Sequence, residues 1–152
     1  MSDPHSSQTA PARYAGDLSP AESWERLRRE PGAQLVDVRS VAEWTFVGVP
    51  DLGDLGRQTL LCEWQKFPSA PNPAFVAELA EALAGAGYRK GAPLFFLCRS
   101  GARSRAAAIA MTAAGHGPCF NVADGFEGAL DAERHRGASG GWKSGGLPWI
   151  QS

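Results

Sequence analysis

The chain has 152 residues, 43% hydrophobic and 20% charged, ordinary for a soluble protein able to bury its own core. A net charge of -1 gives no basis for a nucleic-acid or membrane partner, and no apolar run approaches the length of a membrane span. Three scattered cysteines, without metal-ligand spacing, argue against a disulfide framework or a zinc site and fit a reducing compartment, the cytoplasm.

Residues 1–13 are small, polar and proline-bearing, with no basic segment leading an apolar block. They read as a disordered tail before a single domain over residues 14–152. Ser19-Pro-Ala-Glu22 is a capping box with proline at the first helical position, predicting a helix to about Glu30, where Pro31-Gly32 ends it. Gln34–Val38 reads as a short buried strand. A second capping box, Ser40-Val-Ala-Glu43, predicts a short helix through Trp44 towards Val47, and the stretch from Gly48 to Gly56 reads as loop.

Thr59–Trp64 is the next predicted strand, and Phe67–Pro71 a proline-punctuated loop. Asn72 with Pro73 caps a predicted helix in which Phe75, Val76, Leu79 and Leu83 recur at helical spacing, with Gly85 and Gly87 as stops. The apolar run Pro93–Cys98 predicts a strand. The helix-forming run Ser104–Ala114 follows, closed by Gly115. Pro118–Val122 is a further predicted strand, Ala123-Asp-Gly125 a turn and Phe126–Ala132 a helix. Residues 135–152 are glycine-rich, with Trp142 and Trp149 as anchors onto the body. Short apolar strands between helices imply an α/β fold with a mainly parallel sheet covered on both faces. Ligands of such sheets bind outside the carboxyl ends of the strands, where Cys98 falls.

Between the Pro93–Cys98 strand and its helix stands Cys98-Arg-Ser-Gly-Ala-Arg103. A cysteine there faces unpaired amides and the positive end of a helix dipole, a setting that favours thiolate over thiol. Cys98 is therefore the candidate nucleophile, in an anion cradle built by Arg99, Ser100, Gly101, Ala102, Arg103 and Ser104. Their amides form a nest, Gly101 permits close approach, Arg99 and Arg103 offer guanidinium forks, and the Ser100 and Ser104 hydroxyls donate to sulfur or cap the helix. Arg105 points along the helix surface.

Plainer roles suit the other polar residues. Cys62 and Cys119 lie in apolar strands and pack there, unless one lies near Cys98 as a resolving thiol. His116 and His135 suit turns or surface. Asp37, Arg39 and Glu43 suit a charge pair locking a strand end to the next helix. No residue stands out as the general acid that phosphoryl transfer would need; Asp124 and Asp131 are candidates only by nearness in sequence to a turn.

These residues together resemble the rhodanese homology domain, from roughly Leu18 to Trp149. The loop Cys98-Arg99-Ser100-Gly101-Ala102-Arg103 is similar to that family's active-site loop. Asp37-Val38-Arg39 with Glu43 and Trp44 resembles its first signature, and Gly141-Trp142-Lys143 with Gly146-Leu147-Pro148 its closing one. The likeness implies a three-layer sandwich and a sulfurtransferase. A small anionic donor such as thiosulfate would load Cys98 as a persulfide, and cyanide or a thiol, including a protein thiol, would unload it without cofactor or metal. The sequence departs from the family pattern at Gly48-Val49-Pro50-Asp51, which lacks the usual histidine, and at Asp124-Gly125, where a glycine pair is common. Two alternatives stay open: a cysteine-dependent phosphatase or arsenate reductase, whose cysteine–arginine spacing is one residue longer in the phosphatases, and a non-catalytic binding or thiol-sensing module.

Overall fold

The computed structural model describes residues 13–66, 70–128 and 140–151. Most of residues 1–13, the segment 67–69 and the end of the Phe126–Ala132 stretch, with Asp131 and His135, lie outside the described residues. Five strands form one parallel sheet in the order β1-β8-β7-β2-β4: β1 is Gly16–Leu18, β2 Gln34–Asp37, β4 Leu60–Leu61, β7 Leu94–Leu97 and β8 Cys119–Val122. The central strands β2 and β7 are buried along their whole length, so they read as continuous apolar runs rather than alternating ones.

Alternation along β7 divides the core. Leu94 and Phe96 join Val36, Phe75, Leu79 and Met111 on one face, while Phe95 and Leu97 join Leu27, Leu35, Phe126 and Trp142 on the other. Helices α3 (Phe75–Gly85) and α4 (Ala102–Ala113) cover the first face, and α1 (Pro20–Arg29) covers the second together with the short α5 (Gly141–Ser144). The result is the expected sandwich of helices, parallel sheet and helices.

Both capping boxes form. Ser19 Oγ accepts from Glu22 N and the Glu22 carboxylate from Ser19 N at the head of α1, and Ser40 and Glu43 do the same for α2 (Val41–Val47). Each such cap is worth about 1 kcal/mol, enough to fix where a marginal helix begins.

Elsewhere the backbone departs from expectation. The Gly48–Gly56 stretch holds a two-residue strand, β3 (Val49–Pro50), and a helical turn at Gly53–Leu55. β3 pairs antiparallel with β9 (Trp149–Ile150), which straps the end of the chain to the body. The predicted Thr59–Trp64 strand contracts to β4 because the chain then turns back: β5 (Gln65–Lys66) pairs antiparallel with β6 (Ala70–Pro71), where only loop was expected. Asn72 caps indirectly, its Oδ1 accepting from Ala74 N at 3.0 Å, and α3 starts at Phe75. Residues 126–128 form a turn rather than the start of a helix. β1 had no sequence signal: its residues are Gly-Asp-Leu, and it exists because Gly16, Asp17 and Leu18 find partners on β8.

One feature of this order positions the site. The chain leaves β2 for β4 on one side and leaves β7 for β8 on the other, so neighbouring connections diverge above the carboxyl ends of β2 and β7. In parallel sheets that divergence opens a crevice. Asp37 ends β2 there, and Cys98 directly follows β7.

Candidate functional site

Cys98 follows β7 directly, and the first hydrogen bond of α4 runs from Arg105 N to Gly101 O. The amides of Ala102, Arg103 and Ser104 therefore have no partner within the helix. Gly101, with φ +120°, turns the chain into the helix in a conformation that side-chain-bearing residues rarely adopt. Its amide points back at the thiol, Gly101 N donating to Cys98 Sγ at 3.1 Å. Ser104 Oγ stands 3.2 Å from the same sulfur.

Cys98 is 1% exposed, no more than a core residue. Partners, not exposure, distinguish it from the other cysteines. Its sulfur accepts a hydrogen bond from an amide. Cys119 does the reverse, donating to His116 O at 3.5 Å, as a thiol must. Burial raises the Cys119 thiol, and burial together with the Glu78 and Glu63 carboxylates pushes Cys62 up to about 11. Cys119 pairs with Leu94, four residues before Cys98, roughly 13 Å along the strand and out of reach. Cys62 lies beyond β2 from Cys98, two strand spacings or roughly 10 Å away.

The candidate cradle divides into three. Gly101 and Ser104 meet the sulfur. Arg99, Ser100 and Ala102 are exposed at the rim. Arg103 is half-buried and engaged by Glu43, with Nη1–Oε1 2.7 Å and Nη2–Oε2 2.9 Å. Burial alone would raise the Glu43 carboxyl, but the hydrogen bond and charge of Arg103, with the Ser40 cap, overcome it and hold Glu43 down to about 2. Arg103 is held still more firmly in its charged form, chiefly by Glu43 and also by the negative charges of Cys98 and Asp37. Its charge thus acts on the thiol from a fixed position. Asp37 and Arg39, both fully buried, pair at 2.7 Å, and Arg39 Nη2 also donates to Gly48 O at 2.7 Å while its guanidinium stacks 4.3 Å from the Phe126 ring centre. That is the expected lock at the strand end. Glu43, grouped with them from the sequence, belongs to Arg103 instead. Arg105 does run along the helix surface, over the ring of Tyr14.

The loop is shaped from behind by backbone. Cys98 O accepts from Phe126 N at 2.8 Å, and Arg99 O accepts from Glu127 N at 3.0 Å and Gly128 N at 3.2 Å. A Cβ on Gly125 would stand 2.6 Å from the carbonyl carbon of Arg99, so only glycine fits. The next layer is α5: Trp142 N donates to Gly125 O at 2.8 Å, and Trp142 Nε1 to Pro148 O at 2.7 Å. Trp142 is the buried anchor expected of it, whereas Trp149 is 36% exposed. Asp124 occupies a left-handed position, φ +70°, at the tip of this turn.

Two contributors were not read from the sequence. Asn121 of β8, 5% exposed, places Oδ1 2.6 Å from Ser104 Oγ. Asp17 of β1 accepts from Asn121 Nδ2 at 3.1 Å. A polar residue inside an otherwise apolar strand was the available signal for Asn121. Among the described residues, no group of three or more His, Cys, Asp or Glu could hold a metal ion, and no helix is long and apolar enough to cross a membrane.

Residues 19–132, which include the Cys98 loop, match the rhodanese-like domain model. The chain belongs to the rhodanese-like family. Relatives by sequence include an uncharacterised protein of Rickettsia rickettsii, 35% identical, the match covering 88% of this chain and 95% of that one. The crystal structure of Rv0390 from M. tuberculosis is similar in fold and sequence: TM-score 0.83, 52% identity, 92% of this chain and 100% of the other. The polysulfide-sulfur transferase homodimer of Wolinella succinogenes shares the fold, with TM-score 0.54, 22% identity, 90% of this chain and 78% of that one.

Proposed function

We propose that this rhodanese-like protein is a cytoplasmic sulfurtransferase with Cys98 as its nucleophile. The observation that carries the reading is the direction of one hydrogen bond: Gly101 N–H donates to Cys98 Sγ at 3.1 Å, at the head of α4. Fixed donors aimed at the atom where negative charge develops need no rearrangement during reaction.

The first step takes sulfur from a small anionic donor such as thiosulfate. The Cys98 thiolate attacks the terminal sulfur, a bond forms between the two sulfurs, and the sulfur–sulfur bond of the donor breaks. Its electron pair leaves with sulfite, and the enzyme carries Cys98–S–S⁻. In the second step a cyanide ion or a thiolate, including one on a partner protein, attacks the outer sulfur and returns Cys98 as thiolate. Both steps balance in charge without cofactor or metal. The remaining amides of the loop and the exposed Arg99 hold the anionic portion of the donor, while Arg103 contributes its charge through its fixed place on Glu43.

Burial favours this chemistry over phosphoryl transfer. With Cys98 1% exposed, a slender terminal sulfur fits the approach better than a phosphoryl centre ringed by oxygens. The test is intact-mass spectrometry after exposure to thiosulfate alone. The expected result is addition of one sulfur atom to the wild-type protein and none to Cys98→Ser. An unmodified wild-type protein that turns over an aryl phosphate or arsenate would overturn the proposal. So would one with no activity that merely binds a partner.

A further inference from the structure

Beneath the sulfur, polar side chains form one line of hydrogen bonds whose direction is fixed. Arg105 Nε donates to Tyr14 OH at 3.2 Å, Tyr14 OH donates to Asp17 Oδ1 at 2.9 Å, and Asn121 Nδ2 donates to that same oxygen at 3.1 Å. A carboxylate only accepts, so the Asn121 amide must turn its NH2 towards Asp17 and its carbonyl oxygen towards Ser104. Ser104 Oγ lies 2.6 Å from that oxygen, and 3.2 Å from both Cys98 Sγ and Gly101 O. Three acceptors surround one hydroxyl proton, and Asn121 stands closest to it.

We propose that Asn121 is a positioning residue that restrains Cys98 by drawing the Ser104 proton away from sulfur. The proposal rests on Cys98 being the nucleophile. In the thiol form, S–H donates to Ser104 Oγ, Ser104 donates to Asn121, and every group in the line is satisfied. In the thiolate form the sulfur competes for the Ser104 proton. If sulfur takes it, the carbonyl oxygen of Asn121, a residue 5% exposed, loses its donor. If Asn121 keeps it, the thiolate retains the Gly101 amide but not the hydroxyl. Either outcome disfavours the bare thiolate.

A persulfide escapes this competition. Its negative charge resides on the outer sulfur, so the inner sulfur no longer draws on Ser104. Asn121 thereby favours the sulfur-loaded state over the bare thiolate. The charged groups on the other elements around the cysteine, Arg103 with Glu43 and Asp37 with Arg39, pair with one another outside this line.

The test is the rate of Cys98 alkylation by iodoacetamide at pH 7 in the full chain, read at its peptide by mass spectrometry. It needs no sulfur donor or acceptor, so its failure is distinguishable from failure of the sulfurtransferase reading. Asn121→Leu is expected to speed alkylation about three- to tenfold, the scale of one neutral hydrogen bond. Asp17→Ala, at an exposed β1 residue, frees the amide to turn and should also accelerate it. On a Ser104→Ala background neither change should have an effect. Equal acceleration with and without Ser104 would mean simple loosening of the loop and would overturn the proposal, as would unchanged or slower alkylation. Should Asn121→Leu not fold, Asp17→Ala decides by the same criteria.

Discussion

Arg103 and Glu43 stand sixty residues apart in the chain and meet through two hydrogen bonds, 2.7 and 2.9 Å long, beside the Cys98 loop. The pair ties the head of α4 to the first turn of α2, and so joins the segments that follow β7 and β2. It spans the crevice where the sheet reverses its direction of connection.

Glu43→Gln should destabilise the protein by about 2 kcal/mol near neutral pH, since it leaves a half-buried guanidinium without its charge partner. The carboxyl is held at about 2 in the folded chain against an ordinary 4.5, so its contribution is complete above pH 4.5 and is lost as pH falls towards 2. Urea midpoints between pH 2 and 6 should therefore decline in acid more steeply for wild type than for Glu43→Gln.

The two loop arginines should separate in kinetics. Arg99→Ala, at an exposed position, should raise KM for an anionic donor about fivefold with little change in kcat or melting temperature. Arg103→Lys keeps the charge but loses the two-pronged grip, and should lower both kcat and stability. Steady-state assays with thiosulfate and cyanide, paired with thermal melts, check both.

Adjacent residues at the β8 turn should respond in opposite senses. Gly125→Ala drives a methyl to 2.6 Å from the Arg99 carbonyl carbon and should cost about 3 kcal/mol or more, with loss of sulfur uptake. Asp124→Gly relieves a left-handed conformation, φ +70°, and should stabilise by about 0.5–1 kcal/mol. Denaturant titration of the two variants measures this.

Alkylation of the folded protein should reach Cys98 first. With its thiol pushed to about 11, Cys62 is ionised in roughly one molecule in a few thousand at pH 7.5, and Cys119 is shifted in the same direction. Peptide mapping after limited iodoacetamide treatment should find both unlabelled until the chain is unfolded.

What was legible in the sequence is what neighbouring residues decide. Ser19 and Ser40 announce their helices because each capping partner stands three residues on, and Leu94–Leu97 announces a buried strand by unbroken hydrophobicity. Cys98, Gly101 and Ser104 could be brought together on paper because a tight strand-to-helix turn leaves few ways to arrange them. Residues that meet across the fold were not legible. Arg103 looked available for a ligand until Glu43 arrived from α2, and nothing near Asp17 or Asn121 in sequence says that they share a hydrogen bond. β1 and β9 are shorter still in local signal and owe their existence to β8 and β3.

The thiol loop hangs its carbonyls on amides of Phe126, Glu127 and Gly128, and that turn hangs in turn on Trp142 and Lys143. Nascent protein emerging in order would thus present Cys98 well before the last buttress exists. Until Trp142 docks, the turn that receives the carbonyls of Cys98 and Arg99 lacks its own brace, so the shape of the loop is completed by one of the final segments to be made.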